Sequence, residues 1–127
     1  MRKLCVFLMS WLVLLQGVSA IVEEKEADVC IYGATSAGVI AAYTAKTQGK
    51  TVLLIEPTTR IGGLSAGGLG ETDIGKVDII QGLSLDFYKR VGRKYGKDEP
   101  AFRFEPSVAL SVYKDFLREA GVEPLMP

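Results

Sequence analysis

Asp28 to Glu56 reads DVCIYGATSAGVIAAYTAKTQGKTVLLIE. A short apolar run, Val29 to Tyr32, meets Gly33. The small-residue turn Ala34-Thr35-Ser36-Ala37-Gly38 opens a helical pattern, and a second apolar run, Thr51 to Ile55, ends in an acid, Glu56. Strand, tight turn, helix, strand and acid follow one another in the order of a dinucleotide-binding βαβ unit. Each part has a mechanical reason. Gly33 lets the chain leave the strand sharply. The N–H groups near Thr35, Ser36 and Ala37 can face a pyrophosphate, with the positive end of the helix dipole behind them. Gly38 allows the helix to pack closely on the sheet, and Glu56 sits where a carboxylate can accept hydrogen bonds from a ribose.

The usual pattern is G-x-G-x-x-G, and Thr35 replaces the middle glycine. That glycine lets a phosphate approach the backbone. A threonine still offers its N–H, and its hydroxyl can bond a phosphate or cap the helix. The competing interpretation is a βαβ unit that binds no nucleotide. The agreement of turn, helix and terminal acid favours the dinucleotide.

Beyond Pro57 comes Arg60-Ile61-Gly62-Gly63-Leu64-Ser65-Ala66-Gly67-Gly68-Leu69-Gly70. Glycine at this density is expected to form neither an ordinary helix nor a strand. It lets backbone approach a ligand closely, and its place directly after the acid argues against a plain surface loop. Within the βαβ unit, the helix is expected over Ser36 to Lys46 or Gln48, stopped by Gly49. Ala37, Ala41 and Ala45 recur every fourth residue and are expected to face the sheet. Val52-Leu53-Leu54-Ile55 lacks alternation, as in a parallel strand covered on both faces.

From Gly82 a helical pattern returns. Leu83, Phe87 and Val91 form its apolar stripe, beside Tyr88 and Tyr95. Lys89, Arg90, Arg93, Lys94 and Lys97 form a solvated basic face. Phe102 to Phe104 is expected to be extended. Pro106 suits the first turn of a further helix, with Ala109, Val112, Tyr113, Phe116 and Ala120 inward and Gly121 at its end. Val122 to Met126 has the character of the start of a strand.

The chain has 127 residues and opens with the features of an export signal. Arg2 and Lys3 precede the apolar stretch Leu4 to Leu15, and Val18-x-Ala20 suits signal peptidase. A membrane span needs about 20 apolar residues, so residues 1–20 are expected to be a cleaved signal peptide rather than an anchor. The product, residues 21–127, is expected to be periplasmic or secreted, with no stable membrane anchor. Lys plus Arg and Asp plus Glu balance at 15 each. Loss of Arg2 and Lys3 leaves the remainder slightly acidic, which gives no reason to expect nucleic acid as a partner. Cys30 is then the only cysteine, so no internal disulfide is possible, and it is expected to be a small buried hydrophobe. The absence of histidine removes the commonest general base and metal ligand, so no metal site is expected.

YGATSAGVIAAYTAKTQGKTVLLIEP, RIGGLSAGGLGETDIG, GLSLDFYKRVGRKYG and FEPSVALSVYKDFLREAGVE together resemble the N-terminal part of the FAD-dependent oxidoreductase family. That family includes exported bacterial members, some labelled xanthan lyase-like. The likeness covers essentially the whole mature chain. It gains specificity from coupling the first motif to Arg60-x-Gly62-Gly63, a doublet found after the second strand of many flavoproteins.

The resemblance implies an α/β, Rossmann-like unit with a parallel sheet and additional helices, binding FAD. Gly33 and Gly38, with the backbone of Ala34, Thr35, Ser36 and Ala37, would hold the pyrophosphate. Glu56 would bind the adenosine ribose. Arg60, Gly62 and Gly63 would border the cofactor, with Ser65, Gly67 and Gly68 nearer the flavin. An acid at Glu56 argues against a 2′-phosphate and so against NADP. The flavin would exchange hydride with a small-molecule substrate. No catalytic residue is identified. Glu71 and Asp73 are the only acids expected near the cofactor, and a turn role suits Asp73 better.

Members of the family run to several hundred residues. Residues 21–127 are therefore expected to be the front portion of a flavoenzyme, its substrate domain absent. A C-terminal portion or a partner chain would complete a sheet of at most three strands, which otherwise keeps exposed edges and an open apolar face. A stand-alone nucleotide-binding module and an inactive remnant are the alternatives.

Overall fold

A computed structural model describes residues 24–73 and 75–127. The expected signal peptide lies outside them. Strand β1 spans Val29–Tyr32, helix α1 Ser36–Thr47 and strand β2 Val52–Ile55. A short helix α2 follows at Gly63–Gly67, then a 3-10 turn at Val77–Ile79, helix α3 at Gly82–Lys94 and helix α4 at Pro106–Ala120. The two strands run parallel, with Val29, Cys30, Ile31 and Tyr32 opposite Val52, Leu53, Leu54 and Ile55. The α/β fold expected from the sequence is thus observed.

The expected strand start near the C-terminus is reduced to a single parallel bridge between Leu125 and Ile55. Leu125 N–H donates to the Leu54 carbonyl, and Glu56 N–H donates to the Leu125 carbonyl, both at 2.8 Å. Leu125 therefore takes the place of a third strand, on the side of β2 away from β1. The Phe102–Phe104 segment contributes one antiparallel bridge, Arg103 opposite Glu71.

Helices α1, α3 and α4 share one core with the sheet. Val39 and Ala42 of α1 pack with Leu54 of β2, Phe87 and Val91 of α3, and Ala109, Val112, Phe116 and Leu117 of α4. Phe116 is fully buried and meets the Tyr43 ring edge-on at 5.0 Å. Truncating a buried phenylalanine of this kind to alanine costs about 3–5 kcal/mol. Pro106 opens α4, where its missing N–H is no loss, and Gly121 closes it at φ 62. The basic face of α3 is partly committed to α4. Arg90 pairs with Asp86 and Glu119 and lies 4.0 Å over the Phe116 ring, and Lys94 reaches Asp115 at 2.7 Å.

Three local expectations are corrected. The core-facing side of α1 is Gly38, Val39 and Ala42, whereas Ala37 and Ala41 are exposed. This helix is small and apolar on most sides, so alanine spacing alone does not identify the buried face. Cys30 is exposed rather than buried. It shares a sheet face with Tyr32, which is 75% exposed, and no helix among the described residues covers that face. Finally, the glycine-rich stretch contains the one-turn helix α2. Gly62 starts it at φ 93 and Gly68 ends it at φ 136, so glycines bracket three helix-compatible residues instead of dissolving them.

Candidate functional site

The site is built where β1 hands over to α1. Gly33 has φ 99, a left-handed conformation that disfavours any side chain, and its N–H donates to the Ile55 carbonyl at 2.7 Å. Thr35 follows in an extended conformation, φ −65 and ψ 176. This backbone does not require glycine, which explains why the motif tolerates threonine here. Thr35 Oγ1 accepts from the Gly38 N–H at 3.2 Å and so caps α1. At Gly38 there is no room for a side chain, since a Cβ would lie 1.9 Å from the Gly33 carbonyl oxygen. The close approach foreseen for Gly38 is therefore to the strand-end turn.

The first N–H groups of any helix lack intrahelical acceptors. Gly38 uses Thr35, which leaves the N–H groups of Thr35, Ser36 and Ala37 at the positive end of the α1 dipole.

Glu56 is only 6% exposed. Its Oε2 accepts from the Ala34 N–H at 2.7 Å. Its Oε1 accepts from the Thr58 N–H at 2.8 Å and the Thr58 hydroxyl at 2.6 Å. The Thr58 hydroxyl, then its N–H, hold this carboxyl below the usual range against the opposing effect of burial, with a smaller contribution from Ala34. Glu56 is therefore ionised at neutral pH. A carboxylate has about four acceptor positions, so these three donors leave room for about one more.

The glycine doublet is tied to the same turn. Gly62 N–H donates to the Ala34 carbonyl at 2.7 Å, and a Cβ on Gly63 would lie 3.3 Å from Thr35 Cβ. A cleft of about 550 Å³ results, lined by Thr35, Ser36, Glu56, Thr58, Arg60, Gly63, Leu64 and Gly67. Six of the sequence-predicted residues line this cleft. Gly33, Ala34, Gly38 and Gly62 stand behind it, and Ala34 has both backbone groups engaged with Glu56 and Gly62. Ala37 and Ser65 line a second cavity, of about 570 Å³, which shares Ser36 with the first. Gly68 lines neither cavity and lies in open space at the end of α2. Glu71 pairs instead with Arg103 at 2.6 Å, and both Glu71 and Asp73 are exposed away from the cleft.

Sequence reading missed Thr58 and Leu64. Thr58 lies two residues past the acid and after Pro57, a spacing that suits a side chain reaching back to a turn. Leu64 is 76% exposed at the cleft, and nothing in its local pattern marks it.

A sequence model described as FAD dependent oxidoreductase matches residues 28–127. The chain belongs to that family. FAD is the cofactor of this family, and the arrangement suits it: unsatisfied helix N–H groups, an ionised acid and glycine backbone converge on one cleft. No curated protein matches. Among solved structures, the chain resembles an oxidised steroid monooxygenase bound to NADP, with TM-score 0.53 and 17% identity over 80% of this chain and 19% of that one. It also resembles THI4 of Thermovibrio ammonificans, with TM-score 0.50 and 17% identity over 98% of this chain and 44% of that one. At this identity the likeness shows the fold. The chain spans about a fifth of the first protein and under half of the second.

Proposed function

We propose that this chain is the FAD-binding portion of an exported FAD-dependent oxidoreductase that takes hydride from a small-molecule substrate. The observation that carries the cofactor assignment is the shared cleft. Thr35, Ser36, Glu56 and Arg60 line one cavity, and Ala37 lines the second cavity, which shares Ser36 with it. The pyrophosphate binds at the first turn of α1, where the helix dipole and Arg60 offset its charge. The adenosine ribose donates to the free acceptor position of Glu56. An ionised Glu56 repels a 2′-phosphate, which supports FAD over NADP as the ligand of this cleft. Gly63 and Gly67 allow the cofactor to run close to backbone, while Ser65 and Gly68 lie towards the flavin side. When bound, FAD supplies the hydride chemistry, and the residues described here bind and orient it.

Export is supported by Arg2-Lys3, the apolar stretch Leu4 to Leu15 and the Val18-x-Ala20 end. The remaining sheet and the substrate-binding residues come from a further portion of the protein or from a partner chain. The open face bearing Cys30 and Tyr32 supports this.

Two measurements test the reading. Flavin extracted from the purified full-length protein should be FAD, and 2′-phosphorylated ADP should compete for its site far less well than ADP. N-terminal sequencing of the exported product should begin at Ile21. Equal competition by the two nucleotides would refute the assigned role of Glu56, and an intact Met1 in the cytoplasm would refute export.

A further inference from the structure

Leu64 is the second residue of α2, and 76% of its surface is exposed. An exposed leucine is ordinary by itself. Its surroundings are not. Of the seven exposed large apolar residues among the described residues, it alone lines the cofactor cleft. Its backbone is fixed there. The Leu64 carbonyl accepts from the Gly68 N–H and, at 3.0 Å, from the Leu69 N–H, which closes α2. Ala66 takes the inward side of the helix and packs against the core, in which the Leu64 side chain has no part.

Three elements wall the cleft. The turn after β2 supplies Glu56, Thr58 and Arg60, the start of α1 supplies Thr35 and Ser36, and α2 supplies Gly63, Leu64 and Gly67. With the ribose at Glu56 and the pyrophosphate at the first turn of α1, α2 is the wall left for the other half of FAD. Space lies on that side, because Ser65, the residue after Leu64, borders the adjoining cavity of about 570 Å³. Leu64 is the one wholly apolar side chain in a cleft otherwise lined by hydroxyls, charged groups and glycine backbone. It can bond neither a phosphate nor a ribose hydroxyl, and it suits a carbon-rich ring surface.

We propose that Leu64 is a flavin-contact residue: its side chain is covered by the flavin half of FAD and seats that half beside α2. The role rests on the placement of FAD in this cleft given above. Adenosine and pyrophosphate are held by other residues, so the contribution of Leu64 belongs to the flavin.

The test compares Leu64→Ala with the parent in the full-length protein. Dissociation constants for FAD and ADP are measured on the flavin-free form, with its unfolding midpoint and the visible absorption of the bound flavin. FAD affinity should fall about tenfold, the equivalent of uncovering roughly two methylene groups. ADP carries the adenosine and pyrophosphate without the flavin and should bind as it does to the parent. The flavin absorption band should move towards that of FAD in water, and Leu64→Met should restore both band and affinity. The midpoint should not change, since no core contact is lost. Equal weakening of FAD and ADP would overturn the flavin contact, and so would an unchanged FAD affinity in Leu64→Ala. Either result leaves the FAD reading intact. Failure of the parent protein to bind FAD would overturn that reading, and the role of Leu64 with it.

Discussion

Gly38→Ala tests how tightly the cofactor turn is built. The added Cβ would sit 1.9 Å from the Gly33 carbonyl oxygen, where contacts under 3.0 Å are essentially never seen. At least about 1.1 Å must open between α1 and the turn, by the difference of those two distances. The obstacle is backbone, so no side-chain rotation relieves it. The displaced turn carries the Gly33–Ile55 and Gly62–Ala34 bonds, each 2.7 Å, and the Thr35 cap. Overpacking of this kind costs about 1–3 kcal/mol, and one weakened hydrogen bond adds about 1 kcal/mol. The expected loss is about 2–4 kcal/mol, a large share of a small domain's stability. Urea unfolding of the full-length protein, with parent and variant compared at equal slope, measures it. Gly67→Ala is the internal control. Nothing lies within 4 Å of its Cβ position, so it should be neutral or slightly stabilising. A Gly38→Ala midpoint equal to that of the parent would refute the close contact between α1 and the turn.

Three further outcomes follow from the same geometry. Thr35→Ala should cost about 1 kcal/mol through the lost cap, and Thr35→Gly only a few tenths, both read by urea unfolding. Glu56, Asp28 and Asp115 have carboxyls held low by Thr58, Thr51 and Lys94 respectively. Their folded pKa values lie below the unfolded ones, so the stabilisation is present above the unfolded values, near 4.5 for Glu56 and 3.8 for the aspartates, and is lost as pH falls through the folded values. The unfolding midpoint should fall with acid, and Glu56→Gln should flatten that dependence. Cys30 is exposed among the described residues, on the face proposed to be covered by a further portion of the protein, so in the folded full-length protein it should resist a thiol reagent that labels it after unfolding, and fast labelling of the folded protein would contradict that covering.

The parts of the fold that were legible in the sequence are those set by local chemistry. Gly33, Gly49 and Gly121 adopt positive φ where turn and cap rules require it, and Pro106 opens a helix as its ring dictates. The stripe Phe87–Val91 and the stripe Ala109–Val112–Tyr113–Phe116 were readable because polar residues border them. The inward side of α1 was not, because small apolar residues occupy its outward side as well. The exposure of Cys30 depends on which face of the sheet the helices cover, and strand periodicity does not state this. At the site, the convergence of Glu56 and Arg60 on the α1 terminus follows from motif order. The anchoring of Glu56 by Ala34 does not, because it depends on a contact across 22 residues, whereas its anchoring by Thr58 is local and was missed.

The central claim is that FAD sits at the first turn of α1 beside Glu56. Backbone-amide NMR of the full-length protein titrated with FAD addresses it directly. The amides of Thr35, Ser36, Ala37 and Gly63 should shift together and saturably, while those of Arg93 in the last turn of α3 and of Lys97 beyond it stay fixed. Saturable binding whose shifts fall elsewhere, or no shift at these four amides at any FAD concentration, would contradict the account.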